Sequence, residues 1–208
     1  MTTTIEESKV PLTYLALGDS YTIGESVPIY ESFPYQTLEM LRKKGMNVNA
    51  PEIVAKTGWT TDELQLAINK SILQEKYDIV SLLIGVNNQY RGRSLEEYRS
   101  QFETLLKKSI QFADNKKNHV FVISIPDWCA TPFAENRDRK KIGEEIDQFN
   151  EANKKISELY GVHYIEITAD SRDVLNNPLL AAKDKLHPSG LEYQKWALKL
   201  ADKISINF

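Results

Sequence analysis

At 208 residues with 41% hydrophobic side chains, the chain can bury one sizeable core, and a single domain over 1–208 is expected. Its 26 Lys and Arg against 29 Asp and Glu leave a formal charge of −3; with no basic stripe, no nucleic-acid partner is expected, and no polybasic amphipathic segment argues for a membrane surface. The lone cysteine, Cys129, excludes an internal disulfide and any cysteine-built metal cluster.

The chain opens on a polar, acidic stretch, and residues 1–11 read as a flexible N-terminal segment without the positive and apolar regions of an export leader. No window approaches the ~18 apolar residues of a spanning helix. The expected compartment is therefore cytoplasmic, although a chain from which a leader had been cleaved for periplasmic or secreted export would read the same.

Short apolar runs then alternate with longer amphipathic stretches. Strands are predicted at 13–17, 48–55, 78–84, 120–125 and 162–167. The third and fourth, Ile79-Val80-Ser81-Leu82-Leu83-Ile84 and Val120-Phe121-Val122-Ile123, are nearly continuous apolar runs, as in strands covered by helices on both faces. Between them fall helices. One over 33–44 closes at Gly45, a suitable residue just past a helix end. Thr60-Thr61-Asp62-Glu63 and Ser94-Leu95-Glu96-Glu97 have the Ser/Thr-x-x-Glu form of a capping box. Leu95, Tyr98, Phe102, Leu105 and Leu106 give the second of these helices one apolar face. Ile142, Ile146, Phe149, Asn153 and Ile156 mark another helix, its face apolar except for Asn153; Trp196, Ala197, Leu200, Ala201 and Ile204 mark the last. The polar stretch 126–141 reads as a long functional loop with the first turn of a helix. Strand and helix repeated about five times predict right-handed parallel crossovers in a three-layer α/β/α sandwich, flavodoxin-like, with a five-stranded parallel sheet.

Four segments at predicted strand ends or in loops carry candidate chemistry. Gly18-Asp19-Ser20 ends the first strand at the sheet edge where ligands bind in open α/β folds. There Ser20 Oγ can attack while its N–H faces a developing oxyanion. Lys56-Thr57-Gly58-Trp59 follows the second strand, and Gly58 permits close backbone approach and a second N–H donor. Gly85-Val86-Asn87-Asn88 follows the third, where the Asn87 amide can complete an oxyanion hole. Asp184-Lys185-Leu186-His187-Pro188 precedes the last helix. Of three histidines, His119 and His163 open predicted strands at the opposite sheet edge, which leaves His187 as base and Asp184 as its orienting acid. Taken singly, each block also reads as ordinary turn chemistry. Their coincidence at one sheet edge favours catalysis.

Jointly, the four blocks resemble those of the SGNH hydrolases, the superfamily that includes GDSL-type lipases and acylhydrolases. The resemblance implies an α/β/α fold with a five-stranded parallel sheet and a serine esterase that works through an acyl-serine intermediate on a small-molecule ester. It implies Ser20 as nucleophile, Asp184 and His187 as acid and base, and Ser20, Gly58 and Asn87 as oxyanion donors, with no metal and no cofactor. Tyr21 stands where the family name implies leucine, and Asn88 where aspartate is often found. The Gly-x-Ser-x-Gly elbow of the other large esterase fold is absent around Ser20. Trp59, Tyr90, Trp128 and Phe133 lie on loops expected near the site, as a substrate-lining wall or as anchors packed on the sheet edge. The short loops leave little material for a large lid and favour small or short acyl groups. Two alternatives stay open: an O-acyltransferase using the same serine on a sugar hydroxyl, and a non-catalytic binding module.

Overall fold

The computed structural model describes residues 10–208. The expected flexible segment at 1–11 lies outside the described residues, apart from Val10 and Pro11. Chain order is β1 (Tyr14–Asp19), α1 (Ser20–Ile23), α2 (Phe33–Lys43), β2 (Glu52–Lys56), α3 (Thr61–Lys70), β3 (Ile79–Leu83), α4 (Val86–Tyr90), α5 (Leu95–Phe112), β4 (Val120–Ile123), α6 (Arg139–Tyr160), β5 (His163–Ile165), α7 (Thr168–Ser171) and α8 (Gly190–Ser205), with single 3-10 turns between several of them. The five strands pair in the order β2-β1-β3-β4-β5, all parallel.

That order sets the site. From β1 the chain crosses to β2 on one side, then returns past β1 to β3 on the other. The β1–β3 crevice is therefore a topological switch point, where the connections diverge and leave a cleft at the strands' C-terminal ends. Register places Gly18 opposite Leu83 and Asp19 opposite Lys56, so the ends of β1, β2 and β3 are level.

Helices α2 and α8 pack together on one face, while α3, α5 and α6 form a run of contacts on the other. All residues of β1, β3 and β4 are buried, as the continuous apolar runs require. The first strand runs two residues past its predicted end, to Asp19, whereas the other four are shorter than predicted. Only a single bridge, Val48 to Leu12, lies ahead of Pro51, which has no N–H for a ladder, and β2 starts after it. At the other edge, Ile167 is buried as the residue before α7 instead of extending β5. Of the two predicted capping boxes, the one at Thr60 is reciprocal. At Ser94 only half forms: Ser94 Oγ accepts from Glu97 N–H, while the Glu97 carboxylate is taken by Arg93 and Gln101. Asn153, the polar position on the α6 face, is fully buried and donates to the Tyr98 hydroxyl, while its Oδ1 accepts from that of Tyr164. The stretch 126–141 holds two 3-10 turns, at Trp128–Ala130 and Pro132–Ala134, and the start of α6. Among the described residues, no helix is long and apolar enough to cross a membrane.

Candidate active site

β1 ends in Asp19, and the chain turns at once into the one-turn helix α1, whose first residue is Ser20. The turn is held by Asp19, whose Oδ1 accepts the Tyr21 N–H at 3.0 Å. This leaves Ser20 at a helix N-terminus, where free N–H groups favour negative charge. Asp19 itself is fully buried, and among the described residues its Oδ2 has no hydrogen-bond partner. Burial pushes its carboxyl up to about 7, against the Tyr21 N–H bond that favours the charged form.

The Asp184–His187 segment folds on its own acid. Asp184 Oδ1 accepts from the N–H groups of Leu186 and His187, each at 3.0 Å, so the carboxylate caps the turn that carries the imidazole. His187 Nδ1 lies 2.6 Å from Asp184 Oδ2, and its Nε2 lies 3.0 Å from Ser20 Oγ. Burial raises the Asp184 carboxyl, but the donors from Ser26, His187 and the backbone overcome it and hold the acid down to about 2. The Asp184 carboxylate is thus ionised at neutral pH. Ser20 and His187 are both buried, and the Tyr21 ring packs 5.4 Å from the imidazole between it and Trp196. A hydroxyl, an imidazole and an ionised carboxylate in line can move a proton off the hydroxyl as it attacks.

The two other predicted segments meet through Asn87 and the Trp59 carbonyl; Asn87 lines the same cavity as Ser20, whereas Gly58 is not among its lining residues. Gly58 has φ +84° in the turn after β2, a backbone shape that favours glycine. Asn87, in the first turn of α4, donates one amide hydrogen to the Trp59 carbonyl at 3.0 Å, which ties the β3 loop to the β2 loop. Its second amide hydrogen is free of that bond. Asn88 does not face the cleft. It is fully buried, accepting from Thr61 N–H and donating to Thr61 Oγ1, so it braces α4 against the start of α3. Gly85 enters this loop at φ +134°, and a Cβ there would come within 2.6 Å of the Tyr98 ring and 2.8 Å of Ile125.

A cavity of about 180 Å³ opens over Ser20 and His187, walled by Val86, Asn87, Tyr90, Trp128, Phe133 and Leu186. Tyr90, Trp128 and Phe133 form an edge-to-face row, with ring centres 5.4 and 6.0 Å apart. Trp128 is held from behind: its indole N–H donates to Gln89 Oε1, and Gln89 Nε2 donates to Glu145 on α6. Phe133 N–H donates to the Lys185 carbonyl, joining this wall to the histidine loop. Trp59, expected with these three, is not in the wall; its ring packs against the core, because its carbonyl, not its side chain, faces Asn87. Val86, Leu186, Gln89 and Ser26 were not visible as site residues in the sequence. Val86 and Leu186 could have been found, since each directly precedes a predicted site residue. Gln89 and Ser26 carry no such signal. His119 and His163 lie at the far edge of the sheet, with His119 Nδ1 on the Asp78 carbonyl ahead of β4 and His163 opening β5.

A sequence profile described as the GDSL-like Lipase/Acylhydrolase family matches residues 16–195, from β1 into α8. The chain belongs to that family. This GDSL-like chain is a hydrolase of carboxylic esters. Its fold is that of solved relatives. An acetylxylan esterase from Geobacillus stearothermophilus superposes with a TM-score of 0.71 at 19% identity, covering 93% of this chain and 94% of that one. A lipase/acylhydrolase from Enterococcus faecalis gives 0.73 at 18%, covering 93% and 95%. The esterase EstA from Pseudoalteromonas sp. gives 0.71 at 17%, covering 93% and 97%. A search of curated proteins returns no match to the GDSL-like chain.

Proposed function

We propose that this GDSL-like chain hydrolyses esters of small or short acyl groups through an acyl-serine intermediate on Ser20. The observation that carries the reading is the unbroken hydrogen-bond line from Ser20 Oγ through His187 to Asp184, at 3.0 and 2.6 Å, at the floor of a cavity. In the first half-reaction, His187 Nε2 takes the Ser20 proton as Oγ attacks the ester carbonyl, and Asp184 stabilises the imidazolium that forms. The oxyanion is received by the N–H groups of Ser20 and Gly58 and by the second amide hydrogen of Asn87. His187 then passes its proton to the departing alkoxide, the alcohol leaves, and water repeats the sequence to release the acid.

Cavity size supports a small acyl group. A cavity of about 180 Å³ with Ser20 and His187 among its lining residues has room for a short chain or a small ring beside the hydroxyl. The substrate is accordingly a small-molecule ester. The test is covalent labelling: a fluorophosphonate should modify the wild-type protein at Ser20, and Ser20→Ala should lose both labelling and turnover of a chromogenic acetate ester while keeping its circular dichroism. Retained turnover in Ser20→Ala would refute the nucleophile. Product analysis with an added polyol separates release to water from transfer to a hydroxyl.

A further inference from the structure

Ser26 sits six residues beyond Ser20, in the loop that leaves α1, and it has no counterpart among the residues that perform the reaction above. Its backbone is held at φ +67°, a conformation that side-chain-bearing residues rarely adopt. Such strain persists only where surrounding bonds impose it. Here the turn is fixed by Glu25 N–H on the Ser20 carbonyl at 3.0 Å and Val27 N–H on the Gly24 carbonyl at 3.2 Å. The result is that the Ser26 hydroxyl reaches across 158 residues of sequence and donates to Asp184 Oδ2 at 2.6 Å. That oxygen is the one His187 Nδ1 uses.

We propose that Ser26 is a positioning residue for the acid, holding Asp184 Oδ2 on the imidazole and sharing its negative charge. The inference rests on the proposed roles of Ser20, His187 and Asp184. Of the four hydrogen bonds to this carboxylate, the two backbone donors and the imidazole all come from the acid's own loop. Among the described residues, only Ser26 connects it directly to the segment that carries the nucleophile. Without that donor the carboxylate is still held by the backbone at Oδ1, but at Oδ2 the imidazole is left without a second group to fix the oxygen's position. The carboxylate also carries more charge at the atom facing His187, because a charge-assisted hydrogen bond has been removed. More negative charge there favours the imidazolium, so the base is neutral only at higher pH. The other ionisable groups around the pair, Asp19, Tyr21, Glu25, Asp127, Glu192 and Tyr193, are unchanged by substitution at Ser26 and supply a constant background.

The experiment is the pH profile of kcat/KM for a short-chain ester in the wild type, Ser26→Ala and Ser26→Gly. Both variants should move the acid limb upward by about half a pH unit and lower the plateau about three- to tenfold. Glycine adopts the positive φ without strain, so a purely conformational role would spare Ser26→Gly and not Ser26→Ala. An acid limb that stays within about a tenth of a unit in both, that falls, or that moves in Ser26→Ala alone overturns the proposal. Fluorophosphonate labelling of the same samples separates the two levels. A labelled wild type with unshifted variants removes the role of Ser26 alone. An unlabelled wild type removes the nucleophile reading and this inference with it.

Discussion

Asp19 is a carboxylic acid in the core of a protein whose folded state has little use for its charge. It is fully buried, accepts one N–H at Oδ1, and its Oδ2 has no partner among the described residues. Burial lifts its carboxyl from the ordinary 3.8 to about 7. A gap of roughly three pH units, at about 1.4 kcal/mol each, puts the penalty for folding with the charged form on the order of 4 kcal/mol. Because the folded state holds the proton more tightly, the stability that protonation provides is fully present below about 3.8 and is lost as pH rises through about 7. Asp19→Asn is close to the shape of the protonated acid, retains an acceptor for Tyr21 N–H, and cannot ionise. Urea unfolding of both proteins across pH 5 to 8 should show the wild type losing about 3 kcal/mol relative to Asp19→Asn over that range. A difference that stays constant within about 0.5 kcal/mol would refute the reasoning, by showing that Asp19 is solvated or paired in the folded protein.

Three further outcomes are expected. Asn87→Ala should lower kcat by about 10²–10³ if the amide receives the oxyanion, while KM changes little; a loss below about threefold would leave the amide only its bond to the Trp59 carbonyl. Gly85→Ala should destabilise the fold by more than about 3 kcal/mol in chemical denaturation, because its Cβ would meet the Tyr98 ring at 2.6 Å and the backbone sits at φ +134°. Phe133→Ala removes a 40%-exposed ring from the mouth of the cleft, and should raise kcat/KM for hexanoate relative to acetate esters by about tenfold at little cost in thermal stability. An unchanged ratio would mean that the acyl group does not lie along the aromatic row.

The four chemical blocks were legible because their physical requirements are local. A parallel strand buried on both faces must read as an apolar run, and the turn after it must be small and polar, so Leu15-Ala16-Leu17 followed by Gly18-Asp19-Ser20 shows both at once. The spacing of Asp184 and His187 is likewise local, since the carboxylate caps the turn that carries the imidazole. Strand ends were less legible. Val48 and Ile167 are as apolar as true strand residues, but Pro51 cuts the first off from β2, and whether the second joins a ladder depends on a neighbour far away in sequence. Trp59 shows the same limit: an aromatic after a strand can face the cleft or the core, and its own neighbours do not say which.

The sequence by itself therefore determined the alternation of elements, the parallel sheet and the polar segments that follow its strands, because periodicity and turn composition are written in consecutive residues. Only the tertiary structure decided that β1 and β3 are neighbours with a crevice between their ends. It also decided that Tyr90, Trp128 and Phe133 form one wall, and that Ser26 and His187 share one oxygen of Asp184. The contacts of Tyr90 with Trp128, of Ser26 with Asp184 and of β1 with β3 join residues separated by tens to more than a hundred positions, and their geometry is fixed by how whole layers pack rather than by any local pattern.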